Sequence, residues 1–229
     1  MGRALALSRK LADLVGMFKI NIHLFTTEGP VAMRRIAKLG RGLFLDLKYH
    51  DIPNTVSGAV GAAVRLPGVK LLNIHTLGGA KMMRAAATAA KAAKLGAARP
   101  KLLGVTILTS HDAASLEAVG IRGTPASRAV KLARLAQKCE LDGVVASPQE
   151  VASIRRACGK QFLIVVPGIR PKEVARLRMK KDDQARVSTP RAAIEAGADY
   201  LVVGRPITSA ADPRAASEEI LAEIASVLS

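Results

Sequence analysis

Seven apolar runs, separated by alanine-rich stretches of helical character, constrain the fold of this 229-residue chain more than any other feature. The runs are MFKINIH (17–23), LFLDLKY (43–49), KLLNIHT (70–76), LLGVTIL (102–108), GVVAS (143–147), FLIVVPG (162–168) and YLVVGR (200–205). Most are continuous rather than alternating, as strands buried on both faces should be. Between them lie AKMMRAAATAAKAAKL (80–95), SRAVKLARLAQKCE (127–140) and PRAAIEAGA (190–198), and a last helix is expected over PRAASEEILAEIASVL (213–228). Strand followed by helix, repeated, predicts an α/β fold with parallel strands and crossover helices. No low-complexity linker interrupts the pattern, so residues 1–229 read as a single domain.

Seven strands fit either an open doubly wound sheet or an eight-stranded barrel with one strand missing. Polar residues at the strand ends separate the two. Asp46 and Lys48 lie within or at the end of the second run, and His75, Thr109, Arg170 and Arg205 lie at or just past the ends of four others. A barrel gathers its site from the carboxyl ends of many strands, whereas an open sheet concentrates it at one switch point. The expectation is a (β/α)8 TIM barrel in which only seven strands are visible.

Charge narrows the partners. Lys and Arg number 35 against 18 Asp and Glu, giving +17, a field that would attract phosphorylated metabolites, nucleic acid or an anionic membrane, or that is simply the basic surface of a soluble protein. The basic residues are spread along the chain, the tightest group being Arg176, Arg178, Lys180 and Lys181. With aromatic residues at 3% and no Trp, stacking platforms are scarce, so nucleic acid is not expected as a partner. No run of ~18 uncharged apolar residues exists, so no spanning helix is expected. Arg3, Arg9, Lys10 and Asp13 make the N-terminal stretch a poor secretory signal. Two cysteines, Cys139 and Cys158, form neither a disulfide framework nor a zinc set and read as small buried hydrophobes; the expected compartment is the cytoplasm.

The segment FLDLKYHDIPNT (44–55) carries the most chemistry. On an extended strand Asp46 and Lys48 point to one face. Burying either charge alone costs several kcal/mol, so they should pair. Asp51 follows on a loop stiffened by Pro53, and Lys19, on the preceding strand, could reach the same mouth. Two Lys and two Asp would form a nearly neutral array able to keep a lysine protonated beside a carboxylate. Taken alone, Asp46 and Lys48 could equally be a buried ion pair that only sets register. His50, His75, Met82 and Met83 read as structural.

The full string resembles the signature of the orotidine 5′-monophosphate decarboxylase family. The resemblance spans nearly the whole chain, through MFKINIHLFTTEGP (17–30), DLKYHDIPNT (46–55), LLNIHTLGGAKMM (71–83), GVTILTS (104–110), VPGIR (166–170) and GADYLVVGRPIT (197–208), in order and in spacing. It implies decarboxylation of orotidine 5′-monophosphate to UMP, in pyrimidine synthesis, without a cofactor or metal. The implied tetrad is Lys19, Asp46 and Lys48 of one subunit with Asp51 of its dimer partner. Thr55, on the same crossing loop, would touch the ligand from across the interface, Lys19 and Asp46 would also contact it, and Thr109 would lie by the pyrimidine. Arg170, Gly204 and Arg205 would surround the phosphate, with Gln184 reaching over from a candidate lid at 170–184.

One departure is expected from the family pattern. Its first strand, with an Asp that contacts the ribose, is not visible, since ALALSRKLADLVG (4–16) leads straight into the strand of Lys19. The chain therefore reads as an N-terminally incomplete barrel. Two alternatives remain open. A related group of Mg²⁺-dependent sugar-phosphate synthases and decarboxylases carries a similar Asp-x-Lys-x-x-Asp strand, and an inactive nucleotide-phosphate-binding relative would retain the same phosphate residues.

Overall fold

The computed structural model describes residues 1–93, 95–96, 99–171 and 186–228. Gln184 and nearly all of the expected lid lie outside these residues. The described chain forms two compact units, Met1–Gly104 with Lys138–Asp142, and Val105–Gln137 with Gly143–Ser229.

The first unit opens with α1 (Gly2–Leu11), β1 (Met17–Asn21), α2 (Ile22–Glu28), α3 (Pro30–Ala37) and β2 (Gly42–Tyr49). It continues through α4 (Pro53–Ala63), β3 (Val69–His75), α5 (Gly79–Ala92) and β4 (Lys101–Val105, whose last residue falls to the second unit). Its strands are ordered in space as in sequence, and β1 with β2 and β2 with β3 pair in parallel. The alternation of strand and helix has the physical origin expected. Leu43, Leu45, Leu71, Leu72 and Ile74 of the strands are buried together with Met33, Ile36, Val60, Met82, Met83 and Ala86 of the helices. Burial of one such large side chain contributes about 1.5–3 kcal/mol. Met82 and Met83 are thus packing residues, as the sequence suggested.

The second unit holds α6 (Ala113–Ala118), α7 (Pro125–Lys138, whose last residue falls to the first unit), β5 (Gly143–Val145) and α8 (Val151–Cys158). β6 (Leu163–Val166), α9 (Pro190–Glu195), β7 (Tyr200–Leu201), α10 (Arg205–Thr208) and α11 (Pro213–Leu228) complete it. Here too β5, β6 and β7 are parallel neighbours in chain order. Gly143 is required where β5 meets β6, because a Cβ at that position would stand 2.3 Å from the Leu163 carbonyl oxygen. The described residues hold seven strands, in an α/β fold of the TIM-barrel type. Among the described residues no helix is long and apolar enough to cross a membrane.

Two aspartates hold strand starts in the same way, one in each unit. Asp142 takes both Arg99 guanidinium nitrogens, at 2.9 and 2.6 Å, and accepts the Leu102 N–H of β4 at 2.8 Å. Asp199 takes Arg155 at 2.6 Å and the Ile164 N–H of β6 at 2.7 Å. Both act at the amino ends of strands, which in this fold type serve stability rather than chemistry. The two cysteines are buried and free, and burial pushes both thiols up from their ordinary range.

Four expectations need correction. The run 200–205 is strand only over Tyr200–Leu201, and a helix begins at Arg205, where Pro206 favours a first helical turn. The run 17–23 does not stay extended to its end: the strand stops at Asn21, whose Oδ1 accepts the Leu24 N–H at 3.0 Å and starts α2. The run 102–108 is strand only to Val105. Thr55 is not on a loop. Proline fixes the backbone for a first helical turn, so α4 begins at Pro53 and Thr55 lies in that turn.

Candidate active site

The first unit gathers three charged side chains where β2 loses its burial. Leu43 to Asp46 are buried and Leu47 to Tyr49 are half-buried, so the strand emerges into solvent across these residues. Lys19 stands on the neighbouring β1, and the parallel register sets it opposite Phe44 and Asn21 opposite Asp46. Its long side chain covers the remaining distance. Lys19 Nζ donates to Asp46 Oδ2 at 2.9 Å, and Lys48 Nζ donates to Asp46 Oδ1 at 2.6 Å. The Asp46 side chain is 10% exposed, against 30% and 38% for the two lysines. One buried carboxylate is therefore clasped by two partly open ammoniums, and the trio carries a net charge of +1.

Burial pushes the Asp46 pKa up. The Lys19 and Lys48 charges, with hydrogen bonds from Lys48 and Asn73, outweigh burial and hold the carboxyl below its ordinary 3.8. A depressed carboxyl adds stability above the unfolded-state value and loses it as pH falls toward the folded-state value. Denaturant titrations at descending pH should accordingly show wild type losing stability below pH 3.8, with Asp46→Asn losing less over that window. Parallel losses in the two proteins would show that Asp46 is not the group responsible.

Lys48 reaches Asp46 by a route that simple alternation does not describe. The pairing of β2 with β3 slips between Leu45 and Tyr49, and Lys48 adopts a φ of 53°. This is the left-handed region, which costs a residue with a Cβ about 1–2 kcal/mol. Asn73, fully buried in β3, spans the irregularity. Its Oδ1 accepts the Lys48 N–H at 2.8 Å, and its Nδ2 donates to Asp46 Oδ1 at 2.7 Å. Sequence reasoning missed Asn73. The available signal was a single amide among the apolar residues of LLNI (71–74). Beside it the His50 and His75 rings stack, with centroids 5.4 Å apart and planes 22° from parallel.

Asp51 is exposed, and its Oδ1 accepts the N–H of Ile52 at 2.6 Å. Among the described residues it makes no ion pair within the chain. Thr55 is exposed on the first turn of α4, and Ile52 between them is 67% exposed despite its apolar side chain.

The second unit holds the remaining expected residues that the structure describes. Thr109 is half-buried beyond β4. Arg170 is buried after β6; its Nη1 donates to Ile169 O at 2.9 Å and its backbone N–H to Ser188 O at 2.9 Å. Gly204 and Arg205 are exposed at the start of α10. A pair that sequence reasoning also missed lies here: buried Arg186 donates to fully buried Glu150, and through Nη2 to Leu108 O at 3.0 Å, which fixes the backbone beside Thr109. Burial raises the Glu150 pKa despite its cationic partner. No local sequence signal joins residues 36 positions apart.

A protein-family model described as "Orotidine 5'-phosphate decarboxylase / HUMPS family" matches residues 1–220. The chain belongs to this family. Among curated proteins it is 52% identical over 217 residues to the orotidine 5'-phosphate decarboxylase of Trichlorobacter lovleyi, covering 95% of this chain and 88% of that protein. It is 53% identical over 214 residues to the Geobacter metallireducens enzyme of the same name, covering 93% and 87%. Among solved structures, orotidine 5'-phosphate decarboxylase from Lactobacillus acidophilus superposes with a TM-score of 0.79 at 36% identity, over 96% of this chain and 93% of that one. The Pyrococcus horikoshii decarboxylase gives 0.75 at 26% identity, over 98% and 94%. A Geobacillus kaustophilus protein described as uncharacterized gives 0.81 at 34%, over 97% and 94%.

Proposed function

We propose that this chain converts orotidine 5′-monophosphate to UMP and CO₂, with its own lysines and aspartates supplying the catalysis. The observation that carries this reading is the Asp46 carboxylate held between Lys19 and Lys48, in a member of this family. Loss of CO₂ from C6 of the pyrimidine leaves an electron pair in the ring plane, with no conjugated sink. Fixed charge must stabilise it, and preorganised charge does so without reorganising during the reaction. The Lys48 ammonium stabilises the developing carbanion and then delivers its proton to C6. Asp46 orients Lys48 and crowds the departing carboxylate. Lys19 keeps Asp46 ionised, consistent with the direction of its pKa.

The trio's net +1 leaves room for one more negative charge. In the proposed homodimer Asp51 of a second copy supplies it, and Thr55 of that copy contacts the ligand. Asp51, Ile52 and Thr55 are all exposed, as this reading requires of residues that a second copy must reach. Thr109 is assigned to the pyrimidine, and Arg170, Gly204 and Arg205 to the phosphate. A guanidinium matches a phosphate dianion by its fork of donors. Arg205→Ala should weaken UMP binding by roughly 1.5–3 kcal/mol in calorimetric titration. An unchanged affinity would remove Arg205 from the phosphate site.

The function is tested by incubating the purified chain, pretreated with EDTA, with orotidine 5′-monophosphate and following UMP formation. Turnover undiminished by the chelator is expected. Turnover of a sugar phosphate that requires added Mg²⁺ would favour the related synthase and decarboxylase group. UMP binding without any turnover would identify an inactive relative. The proposed setting is the cytoplasm, where pyrimidine nucleotides are made.

A further inference from the structure

The geometry points to Asn73 as a positioning residue that sets the aim of Lys48 at the Asp46 carboxylate, an inference that rests on the decarboxylase reading above. Asn73 lies in β3, fully buried, where a polar side chain is tolerated only with its hydrogen bonds satisfied. Both are made, and both go to the reacting machinery. Its carbonyl oxygen accepts the backbone N–H of Lys48 at 2.8 Å, and its amide nitrogen donates to Asp46 Oδ1 at 2.7 Å. Lys48 N–H needs an acceptor and the Asp46 carboxylate needs a donor. A primary amide offers one of each on a rigid plane, which a carboxylate at neutral pH and an aliphatic side chain cannot do.

The backbone at Lys48 explains why such a brace is needed. Its φ of 53° is one that side-chain-bearing residues rarely adopt, and it lies where the β2–β3 pairing slips. There the regular ladder supplies no partner for that N–H, and strained conformations persist only when their surroundings over-determine them. The Asn73 oxygen supplies the partner. The same side chain touches Asp46 Oδ1, the atom to which Lys48 Nζ is bonded. Backbone and side chain of the proton donor are thereby fixed through one amide. Lys19 of β1 and Lys48 of β2 are the charged groups that face Asp46, and Asn73 is the neutral donor that completes its shell.

Asn73→Leu, of similar volume, removes both hydrogen bonds. Asn73→Ser, too short to span both partners, is the second variant and carries the test if the first fails to fold. The readouts are kcat and KM for orotidine 5′-monophosphate, UMP affinity, and the Asp46 carboxyl titration by ¹³C NMR, assigned against Asp46→Asn. Expected is a fall in kcat on the order of 10²-fold, with KM and UMP affinity within about threefold, because a small misaim of the proton donor affects the reaction more than binding. The Asp46 titration should move upward by about half a unit or more, since a hydrogen bond to the charged form is lost. A kcat within threefold of wild type, or a change in KM alone, would overturn the inference, as would a lowered melting temperature with full activity per folded molecule. If wild type fails to decarboxylate orotidine 5′-monophosphate, the functional reading falls. The Asp46 titration then still decides whether Asn73 governs the array, an unmoved carboxyl counting against it.

Discussion

Replacing Lys48 with alanine is expected to abolish decarboxylation, lowering kcat by on the order of 10⁴-fold or more, while UMP binding stays within about tenfold of wild type. Two contributions disappear together. A positioned acid is worth about 10²–10⁴-fold, and a fixed charge beside the developing carbanion about 10²–10³-fold. Binding survives because the proposed phosphate contacts, Arg170, Gly204 and Arg205, are untouched by the substitution. The variant also leaves Asp46 buried with Lys19 as its remaining cation, so its carboxyl should titrate higher than in wild type. Lys48→Arg keeps the charge but spreads it over a planar fork that does not release a proton near neutrality, so it should not restore turnover. Turnover of Lys48→Ala within tenfold of wild type would refute the proton-donor role.

Asp51→Ala is expected to lower kcat/KM by roughly 10²–10³-fold, the scale of one lost electrostatic group in a preorganised site. In the proposed dimer the loss restores the +1 imbalance of Lys19, Asp46 and Lys48. The substrate carboxylate then becomes the counter-ion of Lys48 and is held instead of being expelled. The kinetic signature is therefore specific: kcat should fall while KM falls or stays level. The folding stability of Asp51→Ala should match wild type, because Asp51 is exposed and, among the described residues, its side chain bonds only the adjacent N–H of Ile52. A lower melting temperature with unchanged kinetics would instead make Asp51 a structural residue of the turn before α4.

Pairing of Lys19 with Asp46 was legible in the sequence because consecutive strands of a β/α repeat lie side by side, which brings their polar ends together. Pairing of Asp46 with Lys48 was legible too, although not for the full reason. Two residues apart on a regular strand they share a face, yet the observed contact runs through a slipped register and a left-handed backbone at Lys48. Asn73, 25 residues away from Lys48, bonds to that irregular backbone, and nothing local to DLKY reports it. The end of the first apolar run was misread because Ile22 continues the apolar pattern, whereas the Asn21 cap decides the geometry. Thr55 was misplaced by treating Pro53 as a loop stiffener when proline also starts helices. Glu150 and Arg186 were invisible for a different reason: each looks like an ordinary surface charge until the fold buries both.

Subunit mixing tests the central claim most directly, because it asks whether one copy's Lys19–Asp46–Lys48 array needs another copy's Asp51. Lys48→Ala and Asp51→Ala, each near-inactive alone, are to be unfolded together, refolded as a mixture and assayed with orotidine 5′-monophosphate. About half of the dimers are then mixed, and one of the two sites in each is whole, so roughly a quarter of wild-type activity should return. Activity no greater than that of the separate variants, from a mixture shown to contain mixed dimers, would contradict a site completed by a second copy.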